Sequence, residues 1–409
     1  MAFVIEYECP QCGAPVEMEE THHLFRCPFC DVKSLLFTDD CFRYVLPAKI
    51  SGKDMMYAPY VRFKGAAYLC RDAAIEHRIV DMTRCASVLD GLPVSLGFRP
   101  QAMKMKFMTP VRGGRFLKRM MTVEGALDAV GSVTSTLMAR KFYHRAYIGE
   151  TFSIIYLPLY REKNRLFDAV TNEPLIPVQK SDDCMTDIVD EMPQWRLTFL
   201  ATVCPDCGYD LQGERDSVVL TCPNCCRAWN ASKGKLSEVA FKIVPGGRKK
   251  TVFLPFWKIA ARSDQGLVIR SYAEFIRTTN QPKVVKNQWE EWGMSFWTPA
   301  FKVRPHIFLH LSKQMTVSQE NFTMTEDVPS APLYPVTLPL SEACQSLKLI
   351  LADSIMNKKS LFPTLPQVAF TIGESMLVYL PFNDRGHEII QEHKPTGIHK
   401  KTLEFGRYL

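Results

Sequence analysis

Eight cysteines fall into two copies of one pattern. Cys9-Pro-Gln-Cys12-Gly pairs with Cys27-Pro-Phe-Cys30, and Cys204-Pro-Asp-Cys207-Gly pairs with Cys222-Pro-Asn-Cys225. Both sets leave 14 residues between their CxxC pairs, and the sets lie 195 residues apart. A CxxC turn aims two sulfurs at one point. Two such turns across a short hairpin complete the tetrahedral all-sulfur shell that Zn²⁺ accepts. Glycine after the second cysteine tolerates the positive φ at which a side chain would clash. The spacing therefore predicts two structural Zn²⁺ sites, one on Cys9, Cys12, Cys27 and Cys30, the other on Cys204, Cys207, Cys222 and Cys225.

Disulfides are the weaker reading, because they suit small secreted scaffolds and the sequence shows no basic-then-apolar leader. Nor does any apolar run approach the roughly 20 residues that span a bilayer. Cys41, Cys70, Cys85, Cys184, Cys226 and Cys344 are scattered, as small buried hydrophobes of a reducing compartment would be, so a cytoplasmic location is expected. Cys226 abuts the second set, but its spacing fits no further turn.

The elements that must hold these sulfurs are read from the rest of the 409 residues, a length that allows two or three domains. Similar blocks follow each cysteine set in the same order: Tyr57-Ala-Pro-Tyr-Val-Arg-Phe63 and Phe253-Leu-Pro-Phe-Trp-Lys-Ile259, then Phe98–Met105 and Phe296–Val303, then Tyr156-Leu-Pro-Leu-Tyr160 and Tyr379-Leu-Pro-Phe382. Ordered recurrence predicts an internal duplication. The expected fold class is α+β and β-rich: two tandem repeats, each a four-cysteine ribbon followed by a mainly antiparallel β body with a few helices. The expected domains are ribbon 1–40, body 41–193, ribbon 194–235 and body 236–409. Proline beside aromatic and β-branched residues predicts strands with the prolines at edges or bulges. Helices are expected over Val123 to Arg145 and over Ser341 to Ala352.

Catalytic signatures are missing. Pro245-Gly-Gly-Arg-Lys-Lys-Thr251 lacks phosphate-loop spacing and reads as a hairpin turn. His387-Glu388-Ile-Ile-Gln391 opens like a metalloprotease helix but has glutamine at the second ligand position. His306 and His310 would chelate on a helix. The alternation of Ile307, Leu309 and Leu311 reads as a strand, which sets their imidazoles roughly 13 Å apart. His22 and His23 read as solvated loop residues. In Trp289-Glu-Glu-Trp292-Gly-Met-Ser-Phe296-Trp297, helical spacing would align Trp289, Trp292 and Phe296, either for core packing or as a partner-binding patch.

Charge bears on partners. Lysine and arginine total 50 against 43 acids, and two four-thiolate zinc centres of −2 each reduce the formal +7 to +3. Residues 1–193 balance 24 basic against 24 acidic groups, whereas residues 194–409 carry 26 against 19. The ribbons are acidic: residues 1–40 hold eight acids and two bases, and residues 204–229 hold four and two. Phosphate binding needs clustered cations, so nucleic acid is disfavoured as a ligand of the ribbons. A rival nucleic-acid reading must use basic groups of the bodies, such as Arg112, Arg115, Lys118 and Arg119, or Arg248, Lys249, Lys250 and Lys258.

The CPxCG knuckles resemble those of the rubredoxin-like zinc-ribbon superfamily, and a ribbon followed by proline-aromatic strands is similar to poorly characterised bacterial zinc-ribbon proteins. The resemblance covers the eight cysteines and their turns. Rubredoxin-type iron uses the same knuckles, but usually with a longer insert and an aromatic cluster. Here the inserts starting at Val16 and Leu211 are short and polar, which favours zinc. The resemblance implies a zinc-stabilised cytoplasmic protein and carries over no enzymatic residue. A non-enzymatic adaptor or scaffold that binds protein partners is the functional expectation.

Overall fold

The computed structural model describes residues 3–87, 89–109, 114–121, 125, 142–163, 165–177, 189–190, 195–246, 250–394 and 396–409. It is β-rich with few helices, an α+β fold. The chain forms two compact units. One comprises Met1–Lys64, Val80–Met138 and Thr151–Ala201, and the other Gly65–Ile79, Ala139–Glu150 and Thr202–Leu409.

In the sheet built largely from the first unit, the long strand His144–Glu162 lies between Met55–Arg71 and Phe42–Val45, and both long strands include residues of the second unit. It runs parallel to Phe42–Val45, with Tyr156 opposite Val45, and antiparallel to Arg165–Asp168. The sheet continues through Met105–Phe107 to Val4–Glu8 and ends on Pro15–Glu19. The first ribbon's leading hairpin is thus part of the body's sheet. Its second hairpin, Leu24–Arg26 with Lys33–Phe37, gains a third strand from Thr198–Ala201. Cys9 and Cys27 join one hydrophobic cluster with Val16, Met18, Phe25, Leu36 and Tyr44, so ribbon and body share a core.

In the second unit, Thr251–Gln265 lies between Ser295–Pro299 and Ala369–Asp384, and the sheet extends through Glu388–Gln391 to Gly397–His399. Phe241–Ile243 runs parallel to Ala369–Asp384, with Ile243 opposite Tyr379. The second ribbon builds its three-stranded sheet locally from Val219–Cys222, Arg227–Ser232 and Lys235–Val239. Ile154, Ile155, Tyr156, Leu377, Val378 and Tyr379 are all buried, as their apolar density requires.

The prolines depart from the expected edge positions. Pro59, Pro158, Pro255 and Pro381 lie inside long buried strands that have neighbours on both sides. What permits them is the end of an adjacent ladder. Pairing to Ser295–Pro299 starts at Phe256, one residue past Pro255, whose carbonyl instead accepts from Ala300 N at 2.9 Å. Pro381 and Pro158 likewise stand one residue outside the ladders that start at Phe382 and Leu159. A missing N–H therefore breaks no rung.

Of the expected helices, Ser341 to Ala352 appears as two, Leu340–Gln345 and Leu347–Ser354, broken at Ser346. Most of Val123 to Arg145 lies outside the described residues, and its end is strand from His144. The blocks Phe98–Met105 and Phe296–Val303 do not share a structure. The first turns through the one-turn helix Arg99–Ala102, and the second carries the strand Ser295–Pro299.

One buried carboxyl gives the second unit a pH dependence. Glu342 Oε2 accepts from the backbone N–H groups of Gly149 and Glu150, at 2.5 and 3.0 Å. Burial pushes its pKa up to about 7; the Lys302 ammonium and the two N–H groups oppose the rise, and Glu150 reinforces it. A carboxyl raised from an ordinary 4.5 adds stability that is complete below pH 4.5 and is lost as pH rises through about 7. Between pH 4.5 and 8 the loss amounts to roughly 3 kcal/mol. Glu342→Gln should flatten most of that slope in urea unfolding and leave the variant the more stable protein at pH 8. A variant less stable than the parent at pH 8 would show that the anion is the favoured form.

Candidate metal centres

Each knuckle is closed by its own backbone. Cys9 N donates to Ala14 O and Gly13 N to Cys9 O, both at 2.9 Å; Cys204 N donates to Tyr209 O and Gly208 N to Cys204 O, at 2.8 and 2.9 Å. Gly13 and Gly208 sit at φ 72° and 73°, the left-handed conformation that glycine adopts freely. The second knuckles end on non-glycine residues in the same region, Asp31 at φ 59° and Cys226 at 54°. Cys226 therefore occupies the turn-closing position that Asp31 fills in the first ribbon. It stands outside the four-sulfur group.

The sulfurs converge as expected. Cys9 and Cys30 lie 3.7 Å apart, as do Cys12 and Cys27. In the second set, Cys204–Cys225 is 3.6 Å and Cys207–Cys222 is 3.5 Å. Within each set the ligand atoms all lie within 4.8 Å of one another. A tetrahedron of sulfurs about 2.3 Å from Zn²⁺ has edges of about 3.8 Å, so the donor sets fit that ion. Cys9, Cys27, Cys204 and Cys222 are buried, while Cys12, Cys30 and Cys207 face solvent and Cys225 is half-buried.

Without a cation the four thiols split their acidities. At Cys27 burial favours the thiol, but the backbone N–H groups of Cys30 and Phe29 and the neighbouring sulfurs outweigh it and bring the pKa down to about 7. At Cys30 the Val32 N–H favours the thiolate, but burial and the three other sulfurs prevail and lift it to about 12. The Asn224 amide and the Tyr209 N–H lower Cys207 to about 6, whereas burial and its neighbours raise Cys225. One thiolate suppresses the next, and a divalent cation removes that conflict.

The histidines stand apart from both centres. His22 Nδ1 accepts from Glu19 N at 3.1 Å and so closes the turn after the strand Pro15–Glu19. His23 packs beside the Phe42 ring. Both are half-buried and tied into the fold, not solvated. His306 and His310 lie one turn apart on the helix Pro305–Ser318, which overturns the strand reading and its separation. Pro305 occupies a first-turn position, and Phe308, Leu311, Ser312 and Met315 face the core at helical spacing. Both histidines are exposed, and among the described residues they form no metal-ligating cluster.

The basic and aromatic candidates divide. Lys258 is half-buried, with its Nζ 5.6 Å from the Trp297 ring centroid, and burial lowers its pKa, so it belongs to no solvent-facing cluster. Arg115 pairs with Asp54 at 3.1 Å. Arg112, Arg248 and Lys249 lie outside the described residues. Phe296 and Trp297 are core residues, whereas Trp289 and Trp292 pack on Tyr272 near the surface. No helix spans the four: Asn287–Glu290 is a short 3-10 turn and Ser295–Pro299 is strand.

A buried ionic cluster lies outside every motif of the sequence. Arg62, fully buried, binds Glu20 through Nε at 2.6 Å and Nη2 at 2.9 Å, and lies 2.9 Å from Asp81 through Nη1. Its guanidinium covers the Phe3 ring. The available signal was a charge inside the apolar strand run Tyr60-Val-Arg-Phe63. Comparison with known protein families, characterised proteins and solved structures finds no match to this chain.

Proposed function

We propose that this chain is a non-enzymatic zinc-binding adaptor, a tandem duplication whose two ribbons hold structural Zn²⁺ and whose acidic ribbon surface binds protein partners in the cytoplasm. The carrying observation is the pair of complete four-sulfur sites, since a closed shell leaves no coordination position for water or substrate. The copies would be ribbon 1–40 with body 41–193, and ribbon 194–235 with body 236–409.

Repeated backbone bonds support the duplication. Leu46 N to Tyr156 O is matched by Val244 N to Tyr379 O, and Ala86 N to Pro59 O by Ala300 N to Pro255 O. Ala169 N to Pro158 O is matched by Glu392 N to Pro381 O, and Asp168 N to Glu173 O by Gln391 N to Thr396 O. From Tyr156 to Glu173 the matched residues keep one constant offset. Paralogous ribbons on similar bodies suit a protein that presents surfaces, and the acidic ribbons favour a protein partner over a phosphate backbone. Among the described residues, no helix is long and apolar enough to cross a membrane.

Affinity purification from the native host, with mass spectrometry, tests this. The expected result is a defined protein partner that is lost when the parent is replaced by a Cys27→Ser, Cys222→Ser double variant. Recovery of no protein, together with tight, salt-sensitive DNA binding, would overturn it.

A further inference from the structure

The helix Lys400–Gly406 is too short to stand alone. It has seven residues, well below the ~12–15 that hold an isolated helix in water, so its order comes from what it packs against. Lys400 Nζ ties its first turn to Asp384 at 2.6 Å. Leu403 is buried, and its carbonyl accepts from the Tyr334 hydroxyl at 3.1 Å. Gly406 lies so close to the backbone of Lys302 that a Cβ there would run into the Lys302 carbonyl. One residue on, the Arg407 guanidinium forks onto Asp216, through Nε at 2.7 Å and Nη2 at 2.5 Å, and stands 3.8 Å from Glu214.

Asp216 belongs to the second ribbon, in the insert between its two knuckles, and its side chain is only 9% exposed. Ser217 N donates to Glu214 O at 3.0 Å, and a Cβ on Gly213 would collide with Leu220, so this loop has one tight shape. Leu211 N donates to Thr202 O, and Gln212 exchanges backbone bonds with Thr221, the residue before the ligand Cys222. The loop is therefore anchored beside both knuckles. The first ribbon is gripped differently. Glu20, from its own insert, forks with Arg62 on the long strand Met55–Arg71, which has neighbours on both sides. Lys258, at the matching place of the second block, turns to the Trp297 ring instead.

We infer that the helix Lys400–Gly406 is a strap whose docking is coupled to zinc at the second centre. A ribbon of this size keeps its shape only around its metal. When the ion leaves, the insert loosens, Asp216 moves off and Arg407 keeps a partly buried charge without its fork. Linkage makes the effect reciprocal, so a helix that cannot dock weakens zinc by the same factor. The departing helix uncovers an apolar surface under Leu403, where Tyr334 packs edge-on against Phe301. The second ribbon thus carries a metal-controlled switch that the first, gripped by a central strand, lacks. The inference rests on the zinc reading of the second ribbon and on no partner.

Competitive titration of the two-zinc full chain against a chromophoric chelator tests it. Each centre has its own affinity, and the one abolished in Cys222→Ser belongs to the second. Arg407→Met should weaken that affinity about tenfold and leave the other within about twofold. Gly406→Ala favours the helix itself but blocks its seat on Lys302, and should weaken it as well. Arg385→Met, at an exposed arginine outside the strap, should change neither. In an Asp216→Asn background, Arg407→Met should add less than about twofold, since the two act through one contact. Hydrogen exchange reads the reverse direction: removing the second ion should accelerate exchange over residues 400–407. Equal weakening of both centres would mean general destabilisation and overturn the strap. So would an unchanged second affinity in either Arg407→Met or Gly406→Ala, or unchanged exchange over 400–407 after the ion leaves. Fewer than two zinc equivalents in the parent would sink the zinc reading with it, whereas two equivalents with unchanged affinities sink the strap alone.

Discussion

Cys27→Ser should lower bound zinc from two equivalents to one and unfold more of the chain than the equivalent change in the second ribbon. Zinc-finger peptides draw about 10–16 kcal/mol of apparent binding energy from such a site, comparable with the whole stability of a domain. A serine oxygen at one corner forfeits the thiolate that the Cys30 and Phe29 N–H groups favour. The first ribbon's sheet is closed by Thr198–Ala201, and Phe199 from that strand stacks on Tyr7 at 5.0 Å. Hydrogen exchange should therefore accelerate over residues 3–37 and also over 198–201. Cys222→Ser should affect mainly residues 202–239, whose sheet is local. Elemental analysis after chelator challenge supplies the stoichiometry. Two retained equivalents in Cys27→Ser, or iron in place of zinc, would refute the assignment.

Arg62→Met should destabilise the first unit by about 3–5 kcal/mol, the usual result of leaving one member of a buried ion pair without its partner. Glu20 is only 2% exposed, so the orphaned carboxylate cannot reach water. Asp81 suffers less, since its side chain is 28% exposed. The double variant Arg62→Met, Glu20→Met should recover most of the loss, because a packed apolar pair of similar volume often equals a buried ionic one. A cycle over the four proteins in chemical denaturation isolates the coupling. A single-variant loss below about 1 kcal/mol would mean that water reaches the pair in solution.

The metal ligands were legible because four sulfurs at fixed spacing have few other uses, and a CxxC turn is purely local. The same holds for Tyr156-Leu-Pro and Tyr379-Leu-Pro, whose buried central strands follow from their apolar runs. What failed depended on partners distant in the chain. Ile307, Leu309 and Leu311 alternate like a strand, yet Pro305 starts a helix whose buried face is fixed by the surrounding core. The sequence suggests edges or bulges for the prolines because it does not reveal where a neighbouring ladder stops. Arg62 gives no local sign of its role, because its counterions arrive from Glu20 and Asp81. Residues 98–105 and 296–303 match in letters, but each takes its backbone from its own surroundings.

The third strand of the first ribbon carries a timetable. Thr198–Ala201 leaves the ribosome roughly 160 residues after residues 3–37, about 10–30 s later at ordinary rates of synthesis. During that interval the strand Lys33–Phe37 has an unpaired edge, the kind of exposed flank that invites misassembly. The second ribbon's three strands all lie within residues 219–239, and only the short bridge from Val219 to Val336 waits for distant chain.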